Sequence, residues 1–244
     1  MVSTTTIAVI IFVAAYALII TEKVHRTIVG IVGAMLMILF GVLDQETAIR
    51  HIDFNTLGLL MGMMIIVNIT SETGLFNFLA IWSAKKVKAR PISLLVALSA
   101  LTMVCSAFLD NVTTVLLTVP ITFSITAQLK VDVKPYLISQ ILDSNIGGTA
   151  TLIGDPPNIM IGSAVKELTF VAFIENLTPV VILCMAAVLF VMDVLYRKQM
   201  VTKPELQAEI MQMDETKSLK DRKLLARSLF VLGLTILGFF THSF

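Results

Sequence analysis

The feature that most constrains this chain is a succession of apolar runs, each long enough to matter to a bilayer and each ended by a tight cluster of charges. A helix needs about 20 predominantly apolar residues to cross the hydrocarbon core. Cut at its charges, the chain gives runs at 5–20, 28–43, 54–82, 92–127, 136–165 and 170–195, and a last run that begins after Arg227 and reaches Phe244. With 57% hydrophobic and only 14% charged residues, a soluble globular domain is excluded. Lipid offers no hydrogen bonds, so a spanning backbone must satisfy its own amides and carbonyls, and the runs read as helices of a multi-pass, all-α membrane protein. No basic segment precedes the first run, which therefore reads as a span and not a cleaved signal.

Lys and Arg in short loops mark the cytoplasmic side. With the amino terminus outside the cytoplasm, Lys23/Arg26, Lys85 to Arg90, Lys130/Lys134 and the segment 196–226 all fall inside. The loops at 44–53 and 166–169, poor in basic residues, fall outside. Seven of the 18 basic residues lie in 196–226, which reads as a cytoplasmic linker. The run 54–82 is either one tilted helix or a helix broken near 68–74. The run 92–127 returns to the side it enters from. An Asp-Asn pair set directly between two short apolar arms favours a re-entrant hairpin over two full spans.

Ionisable groups within spans are expensive and mark function by default. Glu72, Asp110, Asp143 and Asp155 qualify. Two interruptions carry the polar chemistry. In FLDNVTTVLLTVP, Asp110, Asn111, Thr113 and Thr114 form a tip. Side-chain oxygens clustered with free carbonyls there would suit a hard cation, whereas free amides at a half-helix start would suit an anion. In ILDSNIGGTATLIGDPPNIMIG, Gly147 and Gly148 permit unusual backbone angles and Pro156 and Pro157 cannot donate to a helix. Asn145, Thr149, Thr151, Asp155 and Asn158 surround the opening. The pieces on either side are too short to cross separately, so 135–165 reads as an unwound helix. Paired discontinuous segments of this kind point to a transporter's midplane site.

The strings DNVTTVLLTVP (110–120) and SNIGGTATLIGDPPN (144–158) resemble those of the ArsB/NhaD permeases, the arsenite pumps and sodium-proton antiporters of the ion transporter superfamily. Within them the likeness is to the P protein-like, citrate transporter-like branch. It extends over nearly the whole chain in span order. It implies an inverted-repeat secondary transporter, each repeat with a re-entrant hairpin and a discontinuous helix that meet at the ion and substrate site. Carried onto this chain, the implied site comprises Asp110, Asn111, Thr113 and Thr114 from the hairpin, with Asn145, Gly147, Gly148, Thr149, Gly154, Asp155, Pro156 and Asn158 from the unwound helix. Residues 1–195 correspond to the first repeat, 196–226 to the linker, and 227–244 to the start of a second repeat that is cut off. The chain then reads as the amino-terminal half of a carrier.

The expected function is transport of arsenite or another ion across the plasma membrane, coupled to a proton or sodium gradient. One alternative is a non-transporting scaffold, or a half-protein that acts only after pairing with another repeat. Another is a sodium-coupled carboxylate carrier, which a fixed Asp110 charge disfavours. Expected partners are the lipid bilayer, the transported ion, and a second repeat or second subunit, as in a homodimer. No cofactor is expected beyond Na⁺ or H⁺ as coupling ion, and no metal beyond a transported Na⁺. The balanced charge gives no argument for nucleic acid. Cys105 and Cys184 are too far apart to suggest a disulfide or a zinc site. Met61, Met63 and Met64 read as packing or lipid-facing residues, and His25 and His51 as solvated. With no phosphate loop and no nucleophile-base arrangement, neither an ATP-driven pump nor an enzyme is expected. Asp143 reads equally as a proton carrier or as a helix residue bonded to the neighbouring hairpin, and Glu72 as an interfacial residue or a partner of the helix break.

Overall fold

A computed structural model describes residues 3–165 and 167–241; Lys166 of the loop expected at 166–169 and residues 242–244 of the last run lie outside them. The described residues are helical, with no strand among them. They form two compact units, one through Asn55 and one from Thr56 onward.

In the first unit, α1 (Thr4–Ile20) and α2 (Arg26–Leu39) pack as a pair, and α3 (Gln45–Arg50) is a short helix in the expected 44–53 loop. Side chains supply the helix caps: Ser3 Oγ accepts from Thr6 N at 3.2 Å, and Asp44 Oδ2 accepts from Thr47 N at 3.0 Å. The Asp44 bonds hold its carboxyl below the usual carboxylate range. His25 and His51 are exposed, as a loop position implies.

The second unit begins with α4 (Phe54–Glu72), whose first two residues belong to the first unit, and α5 (Leu75–Lys86). The expected interruption of 54–82 falls at Thr73 and Gly74. Gly74 has φ +84°, a left-handed angle that favours glycine and ends the helix there. Then come α6 (Pro91–Ser106), α7 (Asn111–Leu129), α8 (Lys134–Thr149), α9 (Pro156–Ala164) and the 27-residue α10 (Phe170–Tyr196). Proline stands in the first turn of α6, α8 and α9, where a missing N–H costs nothing.

The centre of this unit is the trio α6, α7 and α8. Three polar links step along α6 and α8 in the same order. Tyr136 Oη donates to Pro91 O at 2.9 Å, the Ser99 and Ser139 hydroxyls lie 2.6 Å apart, and Ser106 Oγ donates to Ser144 O at 2.6 Å. The two helices are therefore parallel, with α7 running back between them. Small residues allow the close approach: a Cβ at Gly147 would lie 2.2 Å from Met103 O.

The segment 196–226 is folded and not a bare tether. Within it, α11 (Pro204–Gln212) packs on α5 and α7, and a 3₁₀ turn (Glu215–Ser218) packs on α5. The apolar spacing Leu206, Ile210, Met213 gives the segment a packing face among its charges, and Ile210 is fully buried in the main core cluster. Lys85 Nζ reaches Glu215 Oε2 at 2.5 Å and Met213 O at 3.0 Å. Finally, α12 (Arg222–Thr241) starts six residues earlier than its apolar run and docks Phe239 and Phe240 on Phe170 of α10.

By length and composition α4, α7, α10 and α12 can each cross a membrane. Leu183 and Phe190 of α10 are each 70% exposed, an arrangement suited to lipid and costly in water.

Candidate functional site

The hairpin tip, 107–110, and the break in the unwound helix, 150–155, come together. Asn111 Nδ2 donates to Asn145 Oδ1 at 2.9 Å, and Thr151 Oγ1 donates to Ala107 O. The carboxylate of Asp155 lies close enough to that of Asp110 for the two to repel. A Cβ on Gly154 would lie 2.5 Å from Gly148 O and 2.9 Å from Ser106 O, so the break is pressed against both α8 and the hairpin. Asp110, Asn111, Asn145, Gly147, Gly148, Gly154, Asp155 and Asn158 thus occupy one junction.

Sequence reading expected free carbonyls and amides there, but most are used. Asn158 Nδ2 donates to Gly148 O at 3.1 Å and Thr151 O at 3.0 Å, tying α9 back across the break. Ser144 O takes the Ser106 hydroxyl, Gly147 O takes Ala150 N at 2.9 Å, and Ala150 O takes the Thr178 hydroxyl at 3.4 Å. On the donor side, Val112 N is held by Asn111 Oδ1 and Thr113 N by Asp110 Oδ1, both at 2.9 Å, and Thr114 N by Asp110 O at 3.0 Å. Pro156 and Pro157 remove two donors from the start of α9, and Asn158 N is bonded to Asp155 O. Neither half-helix start keeps a cradle of amides for an anion. The open charge at the junction is negative and belongs to Asp110 and Asp155; the Asp155 side chain makes no capping bond to α9.

Two expected residues stand apart from this junction. Thr149 is exposed and bonds back to Asn145 O at 3.0 Å. Thr114 is fully buried and heads an inward stripe on α7, Thr114, Thr118, Thr122 and Thr126. Thr113 stays half-buried at the tip. Sequence reasoning did not include Ser106, Ser144 and Thr178. Ser106 is a lone hydroxyl in an apolar run, Ser144 and Thr178 stand beside more conspicuous polar residues, and only the partner across the interface identifies each. The threonine stripe had a readable signal in its four-residue spacing. Asp143 is fully buried and accepts from Ser139 Oγ at 3.1 Å, which joins it through Ser99 to the hairpin. Glu72 is exposed at the end of α4. Beside the tip, an apolar cavity of about 170 Å³ is lined by Phe76, Cys105, Phe108 and Leu232 among others and offers no ion ligand.

The family model described as Citrate transporter (CitMHS) matches residues 16–244. An uncharacterized transporter of Mycobacterium bovis is 38% identical over 240 residues, 97% of this chain and 56% of that protein. A 46 kDa membrane protein of Mycobacterium leprae is 37% identical over the same length and shares. The human P protein is 43% identical over 163 residues, 65% of this chain and 20% of that protein. The chain thus spans about half the length of the mycobacterial relatives it matches.

Proposed function

The chain belongs to the citrate transporter family, and from that premise we propose that it is the core of a secondary active ion transporter of the ArsB/NhaD type. It moves arsenite or another ion, coupled to a proton or sodium gradient, at the junction of hairpin tip and broken helix. The observation that carries this reading is the meeting of tip and break, where Thr151 Oγ1 donates to Ala107 O beside the Asn111–Asn145 bond and both Asp110 and Asp155 flank the contact. Carboxylates within a membrane protein's spanning segments call for a cation to balance them.

The family's name favours a second reading, a carrier of citrate or a similar carboxylate. The occupied amides of Val112, Thr113 and Thr114 and the negative junction weigh against a bare polyanion there. The protein sits in the plasma membrane, with its amino terminus outside and 196–226 in the cytoplasm. Residues 1–195 act as one transmembrane repeat with a re-entrant hairpin, paired with a second repeat or a second subunit.

The test is ion-gradient-driven flux in proteoliposomes containing the whole protein, with sodium, protons, arsenite and citrate as candidates. Flux of one cargo that Asp110→Asn and Asp155→Asn each abolish, without loss of membrane insertion, is the expected result. Flux unchanged in both variants would remove the junction from the mechanism.

A further inference from the structure

Away from the tip, the interface of α6, α7 and α8 contains polar groups that the junction does not use. Gln140, Asp143 and Thr114 are each 0% exposed. Each has one atom without a hydrogen-bond partner among the described residues: Gln140 Nε2, Asp143 Oδ1 and Thr114 Oγ1. Buried polar groups are otherwise almost always satisfied. Three such atoms on two packed helices, α7 and α8, call for a common explanation.

Proton bookkeeping sharpens it. Thr122 Oγ1 lies 2.9 Å from Thr118 O and 3.1 Å from Gln140 Oε1. A hydroxyl has one proton, and the backbone carbonyl can only accept, so Thr118 O receives it. Gln140 must then offer Thr122 a donor. Turning the amide places Nε2 on the hydroxyl and leaves Oε1 as the unpartnered atom, an assignment that rests on hydrogen-bond chemistry. All three open atoms are then oxygens.

The stripe on α7 explains why Thr114 belongs to the set. Thr118, Thr122 and Thr126 each donate to the carbonyl four residues back, at 3.0, 2.9 and 2.8 Å. Four residues before Thr114 stands Asp110, the residue that caps α7, and Thr114 Oγ1, unlike the three hydroxyls that follow it, has no hydrogen-bond partner among the described residues.

Charge balance supplies the rest. The helices α6 and α7 contain no Lys, Arg, His, Asp or Glu, and their only ionisable side chain is Cys105. On α8, Lys134 is exposed at the first residue, and Tyr136 is bonded to Pro91 O. From α10 come Glu175 and Cys184, both exposed, Tyr196, and Asp193, which pairs with Arg197 at 4.0 Å. No cationic side chain neutralises Asp143, and a bare carboxylate in such a site is prohibitively costly.

We infer that Asp143, with Gln140 and Thr114, binds the coupling cation, a proton or a sodium ion, at a site in the α6–α7–α8 interface separate from the Asp110–Asp155 junction. Both ligands supply the same chemistry, one positive charge against one carboxylate with the neutral oxygens of Gln140 and Thr114 to complete its shell. The word coupling rests on the transport reading; binding itself does not.

The test uses the whole protein purified in detergent. Melting temperature is measured as sodium replaces choline at constant ionic strength, and the carboxyl region of the infrared spectrum is recorded alongside. If sodium is the ligand, it stabilises the wild type, Asp143→Asn abolishes the effect, and Thr114→Val raises the half-saturating sodium concentration about tenfold. If the proton is the ligand, sodium has no effect. The wild type then shows a protonated-carboxyl band that Asp143→Asn removes and Thr114→Val shifts. Identical sodium responses and identical carboxyl bands in wild type and Asp143→Asn overturn the inference. Thr114→Val removes a hydroxyl that makes no bond, so it keeps the test open if Asp143→Asn does not fold: unchanged affinity with an unshifted band overturns it equally. Loss of all flux in proteoliposomes with these signals intact would remove the transport reading and leave the site.

Discussion

Gly147→Ala tests whether the parallel contact of α6 and α8 is set by backbone touching backbone. The added Cβ would lie 2.2 Å from Met103 O and 2.8 Å from Met103 C and Cα, none of them the yielding end of a side chain. An ordinary carbon–oxygen contact needs about 3.2 Å or more, so the helices must part by about 1 Å. That would stretch the 2.6 Å links Ser99–Ser139 and Ser106–Ser144 to about 3.6 Å, beyond hydrogen-bond range. Two buried bonds at about 1 kcal/mol each and about 1–3 kcal/mol of overpacking are offset by about 1 kcal/mol from alanine's better helix propensity. The expected net loss is about 2–4 kcal/mol. Unfolding by SDS titration in mixed micelles measures it, with Gly233→Ala as control, since no atom lies within 4 Å of that Cβ. Gly147→Ala within about 0.5 kcal/mol of wild type would refute the reasoning, because it would mean that α6 and α8 yield at no cost.

Other consequences follow from the same geometry. Gly33→Ala, whose Cβ would meet only Ala15 Cβ at 3.7 Å, should be neutral or stabilise by up to about 1 kcal/mol in the same titration. Gly74→Ala would place a Cβ 1.8 Å from Ser218 O at a left-handed φ, and should free the 3₁₀ turn, seen as new protease cleavage within 213–220. Lys85 holds the Glu215 carboxyl below its usual value. A group depressed on folding stabilises above its unfolded pKa and loses that contribution as pH falls through the folded one. Cleavage within 213–220 should therefore rise on the acid side in wild type and rise less steeply in Glu215→Gln, where Asp214, held low by its bonds to Thr216, supplies what pH dependence is left.

Much of this architecture is legible in sequence because lipid imposes a length rule and a charge rule together. The two interruptions read correctly because Asp-Asn between short apolar arms, and Gly-Gly followed by Asp-Pro-Pro, both defeat a continuous helix. The folded state of 196–226 was not legible. Its stripe of Leu206, Ile210 and Met213 is short and diluted by charges, and only the packing surface of α5 and α7 makes Ile210 a core residue. Boundaries drawn at charges also misplaced the start of α12, because charged residues such as Arg222 and Lys223 are good helix formers outside the hydrocarbon.

The polar bookkeeping divides the candidate residues into two kinds, which the sequence presents alike. Asn158, Thr151, Ser106 and Thr178 bear oxygens or amides near the break, yet each spends its donor on a backbone carbonyl at or beside a helix end. Their work is to make an interrupted helix tolerable where water is absent. Replacing one of them exposes a carbonyl and costs stability whether or not an ion ever binds. Asp110, Asp155 and Asp143 are the opposite case. Asp110 Oδ1 caps α7 through Thr113 N, but no cationic partner neutralises that charge within the hairpin; Asp155 makes no capping bond to α9, and Asp143 takes the Ser139 hydroxyl on one oxygen and leaves the other open. Carboxylates held without cations beside them among apolar helices stand at a cost to the fold, and the cation-binding roles proposed above would offset it.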